Sequence, residues 1–523
     1  MTAATEEPTR PRPAGASGWL RAHWYGVGVA IAALIGAVIR FVNVLVWYPT
    51  CDLDIVRAVE DRVPYVSVDG SCFRIWGDSA YYYLQGRLMA RGHLYVDSAT
   101  WYRTGGTTYV DSAGDPPLYS LFLGALSKLG ITSGTGQRLA TSLVGIAAIV
   151  LIAMVARRVF GRRAGIVAAV LAAVYPRLWI NDGMLLSEGV YVALVALVLL
   201  AAYRLWERPG WASAVLLGGA IGLAALTRGE GLLIFGFLVI PLVWGLRELT
   251  LGRRALLALV TWVVGGLLLL PWIAFNLSRF EEPVFMTSQT GAVLSAANCD
   301  TTFYGDYIGY YANCYDEYVA AGRAEWPDVD GLDESQRDKY SRDAAIAYIK
   351  DNKGRLPVVA VARVARMFDL YNPELFDTRE WCTPELGCHQ ELLGQNVRLN
   401  WMVEGRGIWA SRIGFVMYFV LLGLAVPGAV VLYRRRIPIS PLMAMPVLIT
   451  VTSAFTFGIT RYRVPVDVTL VILAAVTVDW LLRRRWPAPD DGTITRLRGR
   501  RDVDGSVVGP TEPISAEPTT TDA

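Results

Sequence analysis

"GRRAGIVAAVLAAVYPRLWINDGMLLSEGVYVALVALVLLAAYRLWER", residues 161–208, decides the fold. Arginines close both ends of the stretch (Arg162 and Arg163, then Arg204 and Arg208). Between them lie two apolar runs, 164–180 and 187–206; the break that separates the runs carries Asp182, and Glu188 opens the second run. A helix needs about 20 apolar residues to cross a bilayer, and Arg-rich connections stay on the inner side. The stretch therefore reads as a hairpin that leaves the arginine side, turns at Asp182–Glu188 and returns.

The same grammar runs through the chain. Further apolar runs fall at 24–47, 138–157, 211–227, 230–247, 255–275, 412–433, 438–457 and 465–482. Basic clusters separate them at Arg157–Arg163, Arg204–Arg208, Arg247–Arg254, Arg434–Arg436 and Arg483–Arg485. Of the 523 residues, 54% are hydrophobic and only 18% charged, with a mean hydropathy of +0.37. Soluble domains carry about 25% charged residues. The expectation is an all-α polytopic membrane protein of about 10–12 transmembrane helices. A net charge of +3, spread over short clusters, gives no reason to expect a nucleic-acid partner. The first run is too long for a signal-peptide core and lacks a cleavage site, so it reads as a retained span.

Placing the basic clusters inside puts 48–115 and 276–411 outside. The six cysteines agree, since none sits in an apolar run: Cys51 and Cys72, Cys299 and Cys314, Cys382 and Cys388 form three local pairs in those loops. Outer loops in an oxidising compartment make three disulfides the expectation; reduced loop thiols are the alternative. The organisation expected is an N-terminal tail (1–23), a membrane module (24–275) that includes the first outer loop (48–115), an outer loop region (276–411), further spans (412–482) and a Pro/Thr-rich cytoplasmic tail (483–523). Both tails read as disordered. "PPLYSLFLGALSKLG" (116–130) is apolar but short, a half-span or re-entrant piece. "LPVVAVARVARMFDLY" (356–371) spaces Arg363 and Arg366 so that they can face lipid headgroups, or it is a plain surface helix.

Ionisable groups at or inside spans are costly and mark function. Arg40, Asp182, Glu188, Arg228, Glu230, Arg461 and Arg463 all fall there, mostly at outer ends. Asp78 opens "GDSAYYYL" (77–84) beside Tyr81 and Tyr82. Guanidinium groups at headgroup depth suit a lipid-anchored phosphate, because they pair with it bidentately and stay charged. A carboxylate suits the proton of an attacking hydroxyl, and aromatic faces suit a sugar or an isoprenoid. Plainer readings stand beside these: Asp78 as a helix cap, Arg461 and Arg463 as headgroup anchors. A D-x-D at 52–54 is too common a pattern to assign to metal, so no metal ligand is named, and a divalent cation is the only cofactor left open.

"GDSAYYYLQGRLMARG", "PPLYSLFLGAL", "GRRAGIVAAVLAAVYPRLWINDGMLLSEGVYVALVAL", "LTRGEGLL" and "RYRVP" resemble, in that order, the polyprenyl-phosphate-sugar-dependent glycosyltransferases of the GT-C class, on the branch of protein O-mannosyltransferases and aminoarabinose transferases. The resemblance covers 24–275 and 410–482. It implies an inverting transfer from a polyprenyl-phosphate-linked sugar, mannosyl or arabinosyl, to an extracytoplasmic protein, polysaccharide or glycolipid at a bacterial plasma membrane. By position it implies Asp78 as the acid that takes the acceptor proton or orients its hydroxyl, and Glu188 or Asp182 as the second acid. Arg461 and Arg463, with Arg40 and Arg228, would hold the lipid phosphate. One departure stands out: relatives carry a basic residue or histidine before the paired prolines, where this chain has Asp115. A lipid-linked-sugar flippase or other transporter is the rival reading, though no repeated halves are visible.

Overall fold

Each of the ten apolar runs folds as a helix in the computed structural model, which describes residues 16–51, 72, 73, 75, 77–320, 332–371 and 408–487. Six helices are long and apolar enough to cross a membrane: His23–Trp47, Gly134–Phe160, Ser187–Glu207, Leu251–Leu277, Ala410–Arg434 and Thr460–Arg485. The run at 164–180 is not one rod. It breaks into Arg162–Val174 and Pro176–Met184, bent by 70°. The cause is Pro176, whose ring disfavours helical geometry at the preceding residue; Tyr175 is accordingly extended (φ −71°, ψ 112°). Counted as one span, the bent pair makes seven. Trp211–Thr227, Gly229–Trp244 and Ser440–Phe455 are apolar but shorter. The expected ten to twelve crossings are thus six or seven of full length and three short helices among the described residues.

Burial sorts the helices into centre and rim. Ser187–Glu207 and Thr460–Arg485 are 83% buried over their most apolar stretch, whereas His23–Trp47 is 28% buried. A span that turns Ile31, Leu34, Val38 and their like outward is presenting them to lipid. Close crossings depend on small residues. A Cβ on Gly428 would stand 2.1 Å from the Leu473 carbonyl oxygen, so Ile408–Arg434 can lie against Val464–Arg485 only with glycine there.

The two ends of the bundle differ chemically. At one end the arginine clusters gather: Arg163 meets Asp479, Arg158 meets Glu207 at 2.5 Å, and Arg483 donates to the Phe160 carbonyl. The other end carries disulfides Cys51–Cys72 and Cys299–Cys314. Cys382 and Cys388, the D-x-D at 52–54 and most of both tails lie outside the described residues. No cysteine among the described residues is free.

The segment at 116–130 forms the helix Pro117–Lys128, 12 residues long, about 18 Å at 1.5 Å per residue and short of the ~30 Å hydrocarbon core. It packs on the helix Asp78–Ala90 where Gly86 approaches Leu123 and Gly124. The second loop region folds into short helices, chiefly Glu334–Asp351 and Leu356–Met367. Here the structure overturns the membrane-facing option for Arg363 and Arg366. Both are buried: Arg363 donates to the carbonyls of Ala297 and Ala454 and to Asn298 Oδ1, and Arg366 donates to the Ile308 carbonyl at 2.5 Å. Arginine spacing marks a face of a helix; here backbone carbonyls of neighbouring segments, not lipid, cover that face.

Candidate active site

At the disulfide-bearing end a cavity of about 590 Å³ opens where the hairpin turn of 187–188, the break after Trp211–Thr227 and the turn before Val464–Arg485 converge. These breaks arise locally. Arg228 ends a helix in extended geometry (φ −149°, ψ 135°) and a short 3₁₀ turn, Gly229–Leu233, follows. Thr460–Arg463 makes another 3₁₀ turn, stopped by Pro465 in the next helix's first turn.

Arg461 bridges two acids at the cavity wall. Its Nη2 lies 2.5 Å from Asp78 Oδ2 and its Nε 2.9 Å from Glu188 Oε1. Glu188 also meets Arg228 Nη1 at 2.8 Å, and Arg228 Nε meets Glu230 at 2.5 Å. Tyr462 lies between the two guanidiniums, whose carbons sit 4.7 Å (Arg228) and 5.0 Å (Arg461) from its ring centroid. Tyr82, on the Asp78 helix, donates to Ser187 Oγ at 3.3 Å. Asp115 completes the polar side. The facing wall is apolar, with Leu232, Leu233, Val293, Leu294, Ile449 and Phe455; Phe455 is 73% exposed, so this wall continues onto the outer face of the bundle. Four carboxylates (Asp78, Asp115, Glu188, Glu230) thus face two guanidiniums.

Of the residues singled out from sequence, Asp78, Tyr82, Glu188, Arg228 and Arg461 line this cavity and Arg40, Asp182, Arg463 and Tyr81 do not. Asp78 does not cap its helix with its side chain; Gly77 holds the cap position with φ +55°, leaving the carboxylate to Arg461. Arg40 and Asp182 are spent on one another, Nε to Oδ2 at 2.7 Å, both buried. That pair occupies the space beside Gly145, where a Cβ would stand 1.9 Å from Asp182 Oδ2 and 2.9 Å from Arg40 Nε. Gly145→Ala is therefore expected to lower stability by about 1–3 kcal/mol through overpacking, read as a lower thermal unfolding midpoint in detergent; an unchanged midpoint would mean the pair is not packed there.

Arg463 points away from the cavity into the bundle. It meets Asp369 Oδ2 at 3.0 Å and Asp467 Oδ1 at 3.6 Å, and Asp369 also accepts from Arg177 at 2.8 Å. Tyr81 packs beside Gly114, its ring 5.6 Å from that of Tyr82. Sequence reasoning grouped Glu230 with the other charges at span ends without giving it a role, and it did not place Tyr462 or Asp115 in the site. The signals were present, in "TRGEG" and "RYR" around the two arginines, and in the acid before the paired prolines. Among the described residues no group of three or more His, Cys, Asp or Glu is placed to hold a metal ion.

Fold and site together define a polytopic helical membrane protein with an acid- and arginine-lined cleft, walled by apolar side chains, at one end of its bundle. Residues 114–275 match the family described as dolichyl-phosphate-mannose-protein mannosyltransferase. A curated relative, dolichyl-phosphooligosaccharide-protein glycotransferase 3 of Archaeoglobus fulgidus, is 24% identical over 350 residues, covering 60% of this chain and 36% of its own. The chain thus spans about a third of that relative's length. Among solved structures, the oligosaccharyltransferase AglB of A. fulgidus, in complex with an inhibitory peptide and dolichol phosphate, superposes with a TM-score of 0.47 at 18% identity, over 93% of this chain and 55% of that one. ArnT of Cupriavidus metallidurans bound to undecaprenyl phosphate gives 0.38 at 16% identity, over 92% and 85%.

Proposed function

We propose that the chain is an inverting glycosyltransferase that moves a sugar from a polyprenyl-phosphate donor to an acceptor hydroxyl, at the outer face of a bacterial plasma membrane. The observation that carries this is Arg461, held between Asp78 and Glu188 at a cleft whose other wall is apolar and open to the rim of the bundle. The apolar wall takes the isoprenoid chain. The donor phosphate takes the guanidiniums of Arg461 and Arg228, in competition with the carboxylates that hold them, so donor binding releases Asp78 to hold the acceptor hydroxyl in line with the anomeric carbon. As the acceptor oxygen bonds to that carbon, the bond to the phosphate oxygen breaks. The departing phosphate then carries the charge that preorganised guanidiniums stabilise best.

The outward placement of 48–115 and 276–411 is supported by the disulfides and by the gathering of the arginine clusters at the opposite end. The names of the relatives point to lipid-phosphate donors; mannosyl or arabinosyl transfer and a protein, polysaccharide or glycolipid acceptor are the specificities favoured here. The test is release of polyprenyl phosphate by the purified protein in nanodiscs, with a panel of synthetic polyprenyl-phosphate sugars and cell-envelope acceptors. One sugar should support release, and Asp78→Asn should fold, bind that donor and lower release at least about 100-fold. Silence with every donor would sink the reading and favour a transporter.

A further inference from the structure

Asp78 is the acid that sequence and family likeness bring forward, yet in the structure it is the partner of Arg461. Resting on the transferase reading above, we infer that Asp115, not Asp78, removes the acceptor's proton, and that Asp78 positions the acceptor hydroxyl.

Four observations bear on this. Asp115 lines the same cavity as Asp78, Glu188 and Arg461, so an acceptor that reaches one carboxylate reaches the other. Among the described residues it is in no ion pair, whereas each of the other three cavity carboxylates is paired with an arginine. Its backbone setting offers it little: the next two residues are Pro116, at the cap position, and Pro117, which opens the helix, and neither proline has an N–H to give. Finally, four carboxylates around two guanidiniums, with a phosphate still to be accommodated, favour a site in which one acid exchanges a proton rather than staying ionised.

The groups facing Asp115 set its behaviour. Burial and the nearby Asp78 push it up, the neighbouring Tyr82 hydroxyl and the guanidiniums of Arg228 and Arg461 pull it down, and the balance leaves it at about 7. Glu188 and Glu230 share the cavity; Tyr81 stands behind and feels Asp115 and Glu334. A base poised near working pH is the efficient one. In the transfer, the acceptor O–H bond breaks with its proton going to the Asp115 carboxylate. The oxygen bonds to the anomeric carbon, and the electron pair of the broken sugar–phosphate bond leaves with polyprenyl phosphate against Arg461 and Arg228.

The sign follows directly. The base form exists above about 7, so kcat/KM should be level above that pH and fall about tenfold per unit below it. The experiment measures kcat/KM for polyprenyl-phosphate release against pH, with the donor that supports release, for wild type, Asp115→Asn and Asp115→Glu. Asp115→Asn should lose about 10²–10⁴-fold, its residual activity should lack the acid limb, and binding of polyprenyl phosphate itself should be kept. Asp115→Glu should recover part of the rate with the limb displaced, and this decides the matter if the asparagine variant fails to fold. An active Asp115→Asn with the wild-type limb overturns the assignment. So does a limb that disappears only in Asp78→Asn. Wild-type protein silent with every donor is a different result, because it removes the transferase reading itself.

Discussion

Asp369→Ala is expected to cost about 3–5 kcal/mol of folding stability, the range for taking one partner from a buried ion pair. Asp369 holds two buried guanidiniums at once, Arg177 at 2.8 Å and Arg463 at 3.0 Å. With Asp467 beside Arg463 and the Tyr175 hydroxyl donating to Asp467 at 3.0 Å, two acids balance two bases inside the bundle. Removing one acid leaves a net buried positive charge. The backbone adds to the loss, since Asp369 is left-handed (φ 60°), a conformation that Asp and Asn tolerate better than Ala. Asp369→Asn should therefore fall between wild type and alanine. The measurement is the unfolding midpoint of detergent-solubilised protein by size-exclusion after heating. An alanine variant as stable as wild type would mean that the four charged groups are not packed as described.

The second large effect is on turnover. Arg461→Ala is expected to lower the rate of polyprenyl-phosphate release about 10²–10³-fold, the scale seen when one preorganised donor to a developing negative charge is removed. Arg461→Lys should not restore it, because an ammonium cannot reproduce a planar fork that reaches Asp78 through Nη2 and Glu188 through Nε. Single-turnover release with saturating donor separates this from weakened binding. A rate within a few-fold of wild type would remove Arg461 from the chemistry and leave it as a strut between two acids.

How much of this was legible beforehand depends on the range of each interaction. Span positions follow from hydropathy, which each segment carries by itself, and all ten runs became helices. The bend at Tyr175–Pro176 needs one further local rule, the clash that proline imposes on the residue before it, and a hydropathy window averages it away. The partners of charged residues are not local. Arg40 and Asp182 are 142 positions apart, and no spacing announces that they neutralise each other instead of meeting a ligand. Arg461 and Arg463 look alike in "RYR", but on a 3₁₀ turn of three residues per revolution, two steps leave them about 120° apart, one reaching the cavity and one reaching Asp369. Asp115 was noticed only as a departure from a pattern, because its meaning lies in what two prolines withhold and in which other acids already have partners.

That turn has a thermodynamic consequence. Its outer arginine belongs to the donor's side of the cleft. Its inner arginine is clamped to Asp369, at the end of the loop helix Leu356–Met367, and the same loop is stitched to the segment just before the turn by Arg363 to the Ala454 carbonyl (3.2 Å) and the Gly458 amide to the Gly309 carbonyl (2.9 Å). If loading the cleft moves the turn, it moves the loop region with it, and equilibrium linkage then runs both ways: whatever factor the lipid phosphate applies to affinity at the loop, a ligand on the loop applies to the lipid phosphate. Order of arrival would then be a matter of rates alone, and the two ligands would report on each other's binding even where they never touch.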